Sequence, residues 1–240
     1  MDIWEKLNLD PARHRTVALV GAGGKTTTLY ALARQARDGG RTVVVTTTTH
    51  IRRHPRLPLT DGADGAAVRA LLEQYGVITA GTVFRGDKLS APADVAALAR
   101  AADVVLVEAD GARMLPLKAP AEHEPVLPAC ADAVVAVAGM DCVGRPVEEI
   151  CHRPQRVRAL LDVGEGHLLT PADVAGLLAS PRGGRKGVGE AVAFRCILNK
   201  ADTPVRLAHA RDAAAELAKR GIHSAITHYT GEERGGLCWF

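Results

Sequence analysis

At 240 residues, 47% of them hydrophobic, the chain is long enough for one α/β domain with additions, or one domain with a small subdomain. A net charge of +3 is too weak to argue for a nucleic-acid partner, and no apolar run reaches membrane-spanning length. Five cysteines with no C-x-x-C pair argue against a disulfide framework or structural zinc, and a polar, charged Met1–His14 stretch makes a reduced cytoplasmic setting the expectation.

Thr16–Val20 is a short apolar run stopped by Gly21, the pattern of a buried strand. Lys25–Arg37 is rich in Ala and Leu and predicts a helix closing on Gly39-Gly40. Arg41–Thr46 reads as a second, β-branched strand, and His50–Pro58 as a basic loop broken by prolines. Helical apolar spacing covers Asp64–Tyr75; Val77–Lys88 predicts a short strand pair, Pro92–Ala101 a helix and Asp103–Val107 a strongly apolar strand. A Pro-rich loop, Gly111–Pro128, leads to a strand at Ala133–Ala138 and a helix at Arg153–Leu161. Thr170-Pro171-Ala172-Asp173 combines an N-cap, a first-turn proline and an acidic first turn, and starts a helix to Ala179. After a flexible basic loop, Pro181–Glu190, come a strand (Val192–Leu198), a helix (Pro204–Arg220) and a last strand (Ile222–Thr227). Strands alternating with helices predict an α/β fold: a mostly parallel sheet with helices on both faces, in the three-layer P-loop NTPase manner. The expected organisation is a single domain, with room for a small inserted subdomain around 50–100.

Chemistry concentrates first at Gly21-Ala22-Gly23-Gly24-Lys25-Thr26-Thr27, between the first strand and its helix. Glycines let a backbone turn tightly and aim N–H groups at an anion, and a helix start adds its positive dipole end. Lys25 is placed for β- and γ-phosphates and Thr26 for Mg²⁺. The strict P-loop has Gly six residues before the lysine, where this chain has Leu19; the short G-x-x-G-K-T form resembles the loops of Mur-type ligases and of deviant dimeric ATPases. The second signal is Glu108 and Asp110, spaced i, i+2 at the end of an apolar strand and so expected on one side of it, where open α/β sheets bind ligands. Asp110 is the expected magnesium partner; Glu108 would touch the metal or orient an attacking water. Thr46–Thr49 adds a row of hydroxyls that would reach the metal's waters or the γ-phosphate, or would simply be strand threonines. Asn199-Lys200-Ala201-Asp202 matches the N-K-x-D base motif of GTPases, and reads equally as a turn before the helix at Pro204. The base is therefore ATP's or GTP's.

Taken together, VGAGGKTTT, TTTTHI and VEADGARMLPLKAPAEHEPVLP resemble the YqeC-type accessory proteins over nearly the whole chain, most specifically over Glu108–Pro128. The resemblance implies a P-loop protein linked to maturation of selenium-dependent molybdenum hydroxylases, with a cofactor precursor or a maturation protein as partner. Within the Pro-rich loop, Lys118, His123 and Glu124 are candidates for an acceptor-substrate site, and Arg113 for neutralising transition-state charge. Three functions stay open: an NTP-hydrolysing or phosphoryl-transferring accessory enzyme, a nucleotide-gated carrier or scaffold, and a Mur-like ligase, for whose extra domains the chain leaves little room. Cys142, Cys151 and His152 fit no standard zinc spacing. Arg52, Arg53, His54 and Arg56 form a basic stretch open to an anionic partner.

Overall fold

The computed structural model describes residues 2–92 and 94–229; the apolar tail Leu237–Phe240, expected to dock on the body, and Cys238 lie outside them. The chain runs through α1 (Ile3–Lys6), β1 (Thr16–Gly21), α2 (Lys25–Asp38), β2 (Val43–Thr47), β3 (His50–Arg52), β4 (Leu59–Thr60), α3 (Gly65–Tyr75) and β5 (Val77–Ala80). It continues with β6 (Thr82–Arg85), β7 (Lys88–Ser90), α4 (Val95–Ala101), β8 (Val104–Glu108), β9 (Leu117–Lys118) and β10 (Ala133–Gly139). The last third holds α5 (Val147–Ile150), β11 (Cys151–His152), α6 (Pro154–Leu161), α7 (Pro171–Ala179), β12 (Ala193–Asn199), α8 (Pro204–Ala218) and β13 (His223–Ile226).

Eight strands form one sheet in the order β13-β12-β10-β1-β8-β2-β5-β4, and every pairing in it is parallel. The central strands are β-branched and apolar on both faces because helices cover both. Side-chain alternation sorts the cover. Val17 and Leu19 of β1 pack with Trp4 of α1 and Leu29 and Leu32 of α2. Ala18 and Val20 point the other way, toward Val174 and Leu178 of α7 and Ala210 and Leu217 of α8. At the far flank, Val44 and Val105 meet Val68 and Leu72 of α3 and Leu98 of α4. This is the α/β, three-layer arrangement anticipated from the sequence, and the predicted capping box of α7 is formed between Thr170 and Asp173.

The structure departs from expectation where strands are short. His50–Pro58, read as a loop, contributes β3, which pairs antiparallel with β7, itself paired with β6. Val77–Lys88 is not one strand pair: β5 joins the main sheet and β6 turns into the small one. Two- to four-residue strands carry too little periodicity to be seen, and exist only through the partner that pairs with them. The stretch 50–100 is thus shared between the two sheets. Likewise β9, inside the predicted Pro-rich loop, pairs with β11.

Candidate phosphate-binding site

The register of the sheet brings three strand ends together. Leu19 of β1 pairs with Glu108 of β8, and Glu108 with Thr47 of β2. The chain leaves β1 through Gly21, Gly23 and Gly24, all at positive φ. All three are required by close approach: a Cβ on Gly21 would run into the carbonyl of Val137, one on Gly23 into the backbone of Gly139 and Pro116, and one on Gly24 into the Asn199 side chain. Helix α2 then starts at Lys25 without a side-chain cap. Its first intrahelical bond, of the Thr28 N–H to Gly24 O, is 3.0 Å. The amides of Lys25 and Thr26 therefore open a 14-residue helix with no intrahelical acceptor, at the positive end of its dipole.

The cradle is narrower than the sequence implied. The Gly21 N–H donates to Asp110 Oδ2 at 3.0 Å, Ala22 N–H to Val137 O at 2.8 Å and Gly23 N–H to Leu115 O at 3.1 Å. These three amides fix the loop's shape instead of facing an anion. The groups left for phosphate are the helix-start amides and Lys25.

Glu108 and Asp110, expected on one side of the strand, both lie near Lys25 Nζ, but they have different partners. The Thr26 hydroxyl donates to Glu108 Oε2 at 2.7 Å. Lys25 Nζ donates to Gly21 O at 2.7 Å and lies 3.1 Å from Asp110 Oδ1, against 4.0 Å from Glu108 Oε1. On its other side Asp110 meets Lys118 Nζ at 2.9 Å. The expected magnesium partner is thus clamped between two lysines, and the carboxylate beside Thr26 is that of Glu108. Burial raises the Glu108 pKa, and this outweighs the attraction of Lys25 and the hydrogen bond from Thr26.

Lys118 and Glu124 are not groups of an open acceptor loop; both are buried. Lys118 Nζ donates to Gly111 O at 2.6 Å and Glu124 Oε2 at 2.7 Å, and forms an ion pair with Asp110 at 2.9 Å. Arg153 closes the chain, its guanidinium meeting both Glu124 oxygens at 2.8 and 3.1 Å. Burial alone would raise the Glu124 pKa; the hydrogen bonds from Lys118 and Arg153 outweigh it and hold the carboxyl at about 2. His123 is exposed beside this network. Arg153, at the N-cap of α6 with a left-handed φ of 63°, was missed by sequence reasoning, because no local pattern marks its role.

The threonine row is spoken for: the hydroxyls of Thr46, Thr47 and Thr48 donate to the carbonyls of Ala80, Glu108 and Val126. Asn199 lies at the loop, but as a brace. Its Nδ2 donates to Gly23 O at 2.8 Å and its Oδ1 accepts from Thr227 at 3.0 Å. Lys200 pairs with Asp141 at 2.7 Å and Asp202 with Arg206 at 2.6 Å. Cys142 and Cys151 are buried, and burial with the nearby Glu148 pushes the Cys151 thiol up to about 12, far from the thiolate that ligation or attack requires. Among the described residues no three His, Cys, Asp or Glu side chains gather to hold a metal ion. A magnesium ion would fit here only in the company of phosphate oxygens, with Thr26 and Glu108 as the protein's share; Mg²⁺ commonly binds with one or two carboxylates and substrate phosphates.

The YqeC protein family matches residues 17–155, which take in the phosphate loop, both strand-end acids, Lys118, Glu124 and Arg153. The Escherichia coli (strain K12) protein YqeC is 33% identical over 189 residues, covering 73% of this chain and 72% of its own. The chain belongs to the YqeC family. Among solved structures, the cell division protein FtsY of Thermotoga maritima overlays with a TM-score of 0.42 at 19% identity, covering 99% of this chain and 73% of that one. Among the described residues, no helix is long and apolar enough to cross a membrane.

Proposed function

We propose that the chain binds a nucleoside triphosphate with Mg²⁺, ATP or GTP, on the loop Gly21–Thr27 and hydrolyses it or transfers its terminal phosphoryl group. The observation that carries this reading is the meeting of Lys25 and Thr26 at an uncapped helix start with Glu108 on the Thr26 hydroxyl. The helix-start amides and Lys25 supply positive charge in a fixed, buried setting, which is how phosphoryl-transfer sites stabilise the transferred group. Lys25 is held by Asp110, and a bound phosphate would compete for it. Because Lys118 also neutralises Asp110, Lys25 can turn to a phosphate without leaving a buried carboxylate unpaired. Thr26 and Glu108 would hold the magnesium ion, which when bound offsets charge on the phosphate oxygens. A role in molybdenum hydroxylase maturation, with a cofactor precursor or a maturation protein as partner, is supported by family membership alone.

One observation favours a nucleotide-gated carrier with slow turnover as the second reading. Each carboxylate of the site is engaged: Glu108 by Thr26, Asp110 by two lysines, Glu124 by Lys118 and Arg153. Orienting an attacking water would require one of them to let go, or a partner to supply the group.

Thermal shift and phosphate release with ATP and GTP, with and without Mg²⁺, test the proposal. A ligand at a hundred times its Kd adds about 2.7 kcal/mol to stability. We expect that gain in the wild type and its loss in Lys25→Ala, whose own fold persists. Equal stabilisation of the two proteins would remove the assignment; binding without phosphate release would select the carrier.

A further inference from the structure

The basic loop Pro181–Glu190, expected to be flexible, is tied down on two sides over residues 183–186. Gly184 N–H donates to Leu177 O at 2.9 Å and Gly183 N–H to Ser180 O at 2.9 Å. Both glycines press so closely on the end of α7 that a Cβ would collide with the carbonyls of Leu177 and Leu178. On the other side Lys186 Nζ donates to Ala121 O at 2.6 Å and Glu122 O at 2.7 Å, tying the loop to the segment that follows Lys118. Arg185 lies over the Phe194 ring, 5.7 Å from its centre.

Between this loop and α6 lies a groove of about 360 Å³, within the range of small-molecule sites. Its apolar surface comes from Pro120, Leu160 and Pro181, and its polar groups, Arg156, Arg182 and Lys186, are all cationic. Lys186 is committed to its two carbonyls. Arg156 pairs at 3.1 Å with Glu122, whose side chain is 90% exposed, and such an exposed pair yields readily to a better anion. The Arg182 guanidinium has no hydrogen-bond or ion-pair partner among the described residues. Pro120 also lines a separate void of about 10 Å³ beside Gly21, Asp110 and Lys118.

We propose that this groove is a second ligand site, taking a small molecule whose phosphate or carboxylate meets Arg182 and Arg156 and whose apolar body lies on Leu160, Pro120 and Pro181. The site stands whether or not the phosphate loop holds a nucleotide. Its test uses the full chain carrying Lys25→Ala, so that the loop does not compete, with phenyl phosphate, benzoate and uncharged benzyl alcohol as probes in calorimetric titration. We expect saturable binding of phenyl phosphate, benzoate or both, none of benzyl alcohol, and weakening with salt. Phenyl phosphate alone assigns the anion as a phosphate; benzoate as well extends it to carboxylates. Arg182→Glu and Arg156→Gln should each weaken the anion by about tenfold or more, the equivalent of one charge-assisted hydrogen bond. Arg182 is on the surface and Arg156→Gln keeps a polar side chain, so at least one variant should retain the wild-type melting profile and report. Undiminished binding in a folded variant, or no binding of either anion, would overturn the proposal.

Discussion

Glu108 and Asp110 stand two residues apart at the end of one strand and face the same lysine, yet they belong to different regions of the molecule. On the Glu108 side the neighbours are a hydroxyl and a helix start, the carboxyl is pushed toward its neutral form by burial, and the arrangement gains from an added cation. On the Asp110 side two lysines already supply the positive charge, and Lys118 passes the pairing on to Glu124 and Arg153. The first region is prepared for a ligand; the second is complete without one. A carboxylate's role is set by what the rest of the fold has already paired with it, which strand periodicity does not reveal.

The largest effect should come from breaking the completed region. Lys118→Met leaves Asp110 and Glu124 with one cation fewer, and removing one member of a buried charge network costs about 3–5 kcal/mol. Urea unfolding measures it; a loss below about 1 kcal/mol would mean that the network is not what holds 111–128 in place.

Acid sharpens the same contrast, because the two regions slope in opposite directions. The Glu124 pKa is depressed, from 4.5 to about 2, so its contribution to stability is present above about pH 4.5 and is lost as pH falls toward 2. The Glu108 pKa is raised, so its contribution is present below its ordinary value and is lost as pH rises through the shifted one. In urea unfolding of the ligand-free protein between pH 2 and 8, Glu124→Gln should lose stability at neutral pH and flatten the acid limb. Glu108→Gln should match or exceed the wild type at neutral pH. The reverse ordering would reject the assignment of the two environments.

A smaller effect is expected at the brace. Asn199→Ala removes the bond to Gly23 O, a net loss of about 1 kcal/mol in holding the loop, and should weaken ATP and GTP alike by about fivefold. Since Asp202 is already paired with Arg206, Asp202→Asn should leave the ATP-to-GTP ratio unchanged. A change of base preference in direct competition would restore the base-reading role.

The phosphate loop was legible because its chemistry is contiguous: strand, glycines, Lys25 and Thr26 are all set by local backbone needs. The central strands were legible for the same reason, each being an apolar run between turn signals. Lys118 and Glu124 were visible as residue types but not as a buried pair. Their burial depends on Arg153, 29 residues beyond Glu124, and on the pairing of β9 with β11, neither of which leaves a local pattern. The basic loop Pro181–Glu190 was expected to be flexible; its seat on α7 rests on the close approach of Gly183 and Gly184 to Leu177 and Leu178, which the loop's own composition does not reveal. The choice between Glu108 and Asp110 was beyond spacing altogether, since alternation puts both on one side and only Thr26 and Lys118 separate them.

The central claim is tested most directly by calorimetric titration of the nucleotide, with and without Mg²⁺, into wild type, Glu108→Gln and Asp110→Asn. The account predicts that Glu108→Gln loses about 10- to 100-fold in Mg²⁺-dependent affinity, the usual scale for groups that hold or orient a metal, while its metal-free affinity is unchanged. Asp110→Asn should keep the Mg²⁺ dependence and lose stability instead. Loss of the Mg²⁺ dependence in Asp110→Asn, with Glu108→Gln behaving as wild type, would contradict it.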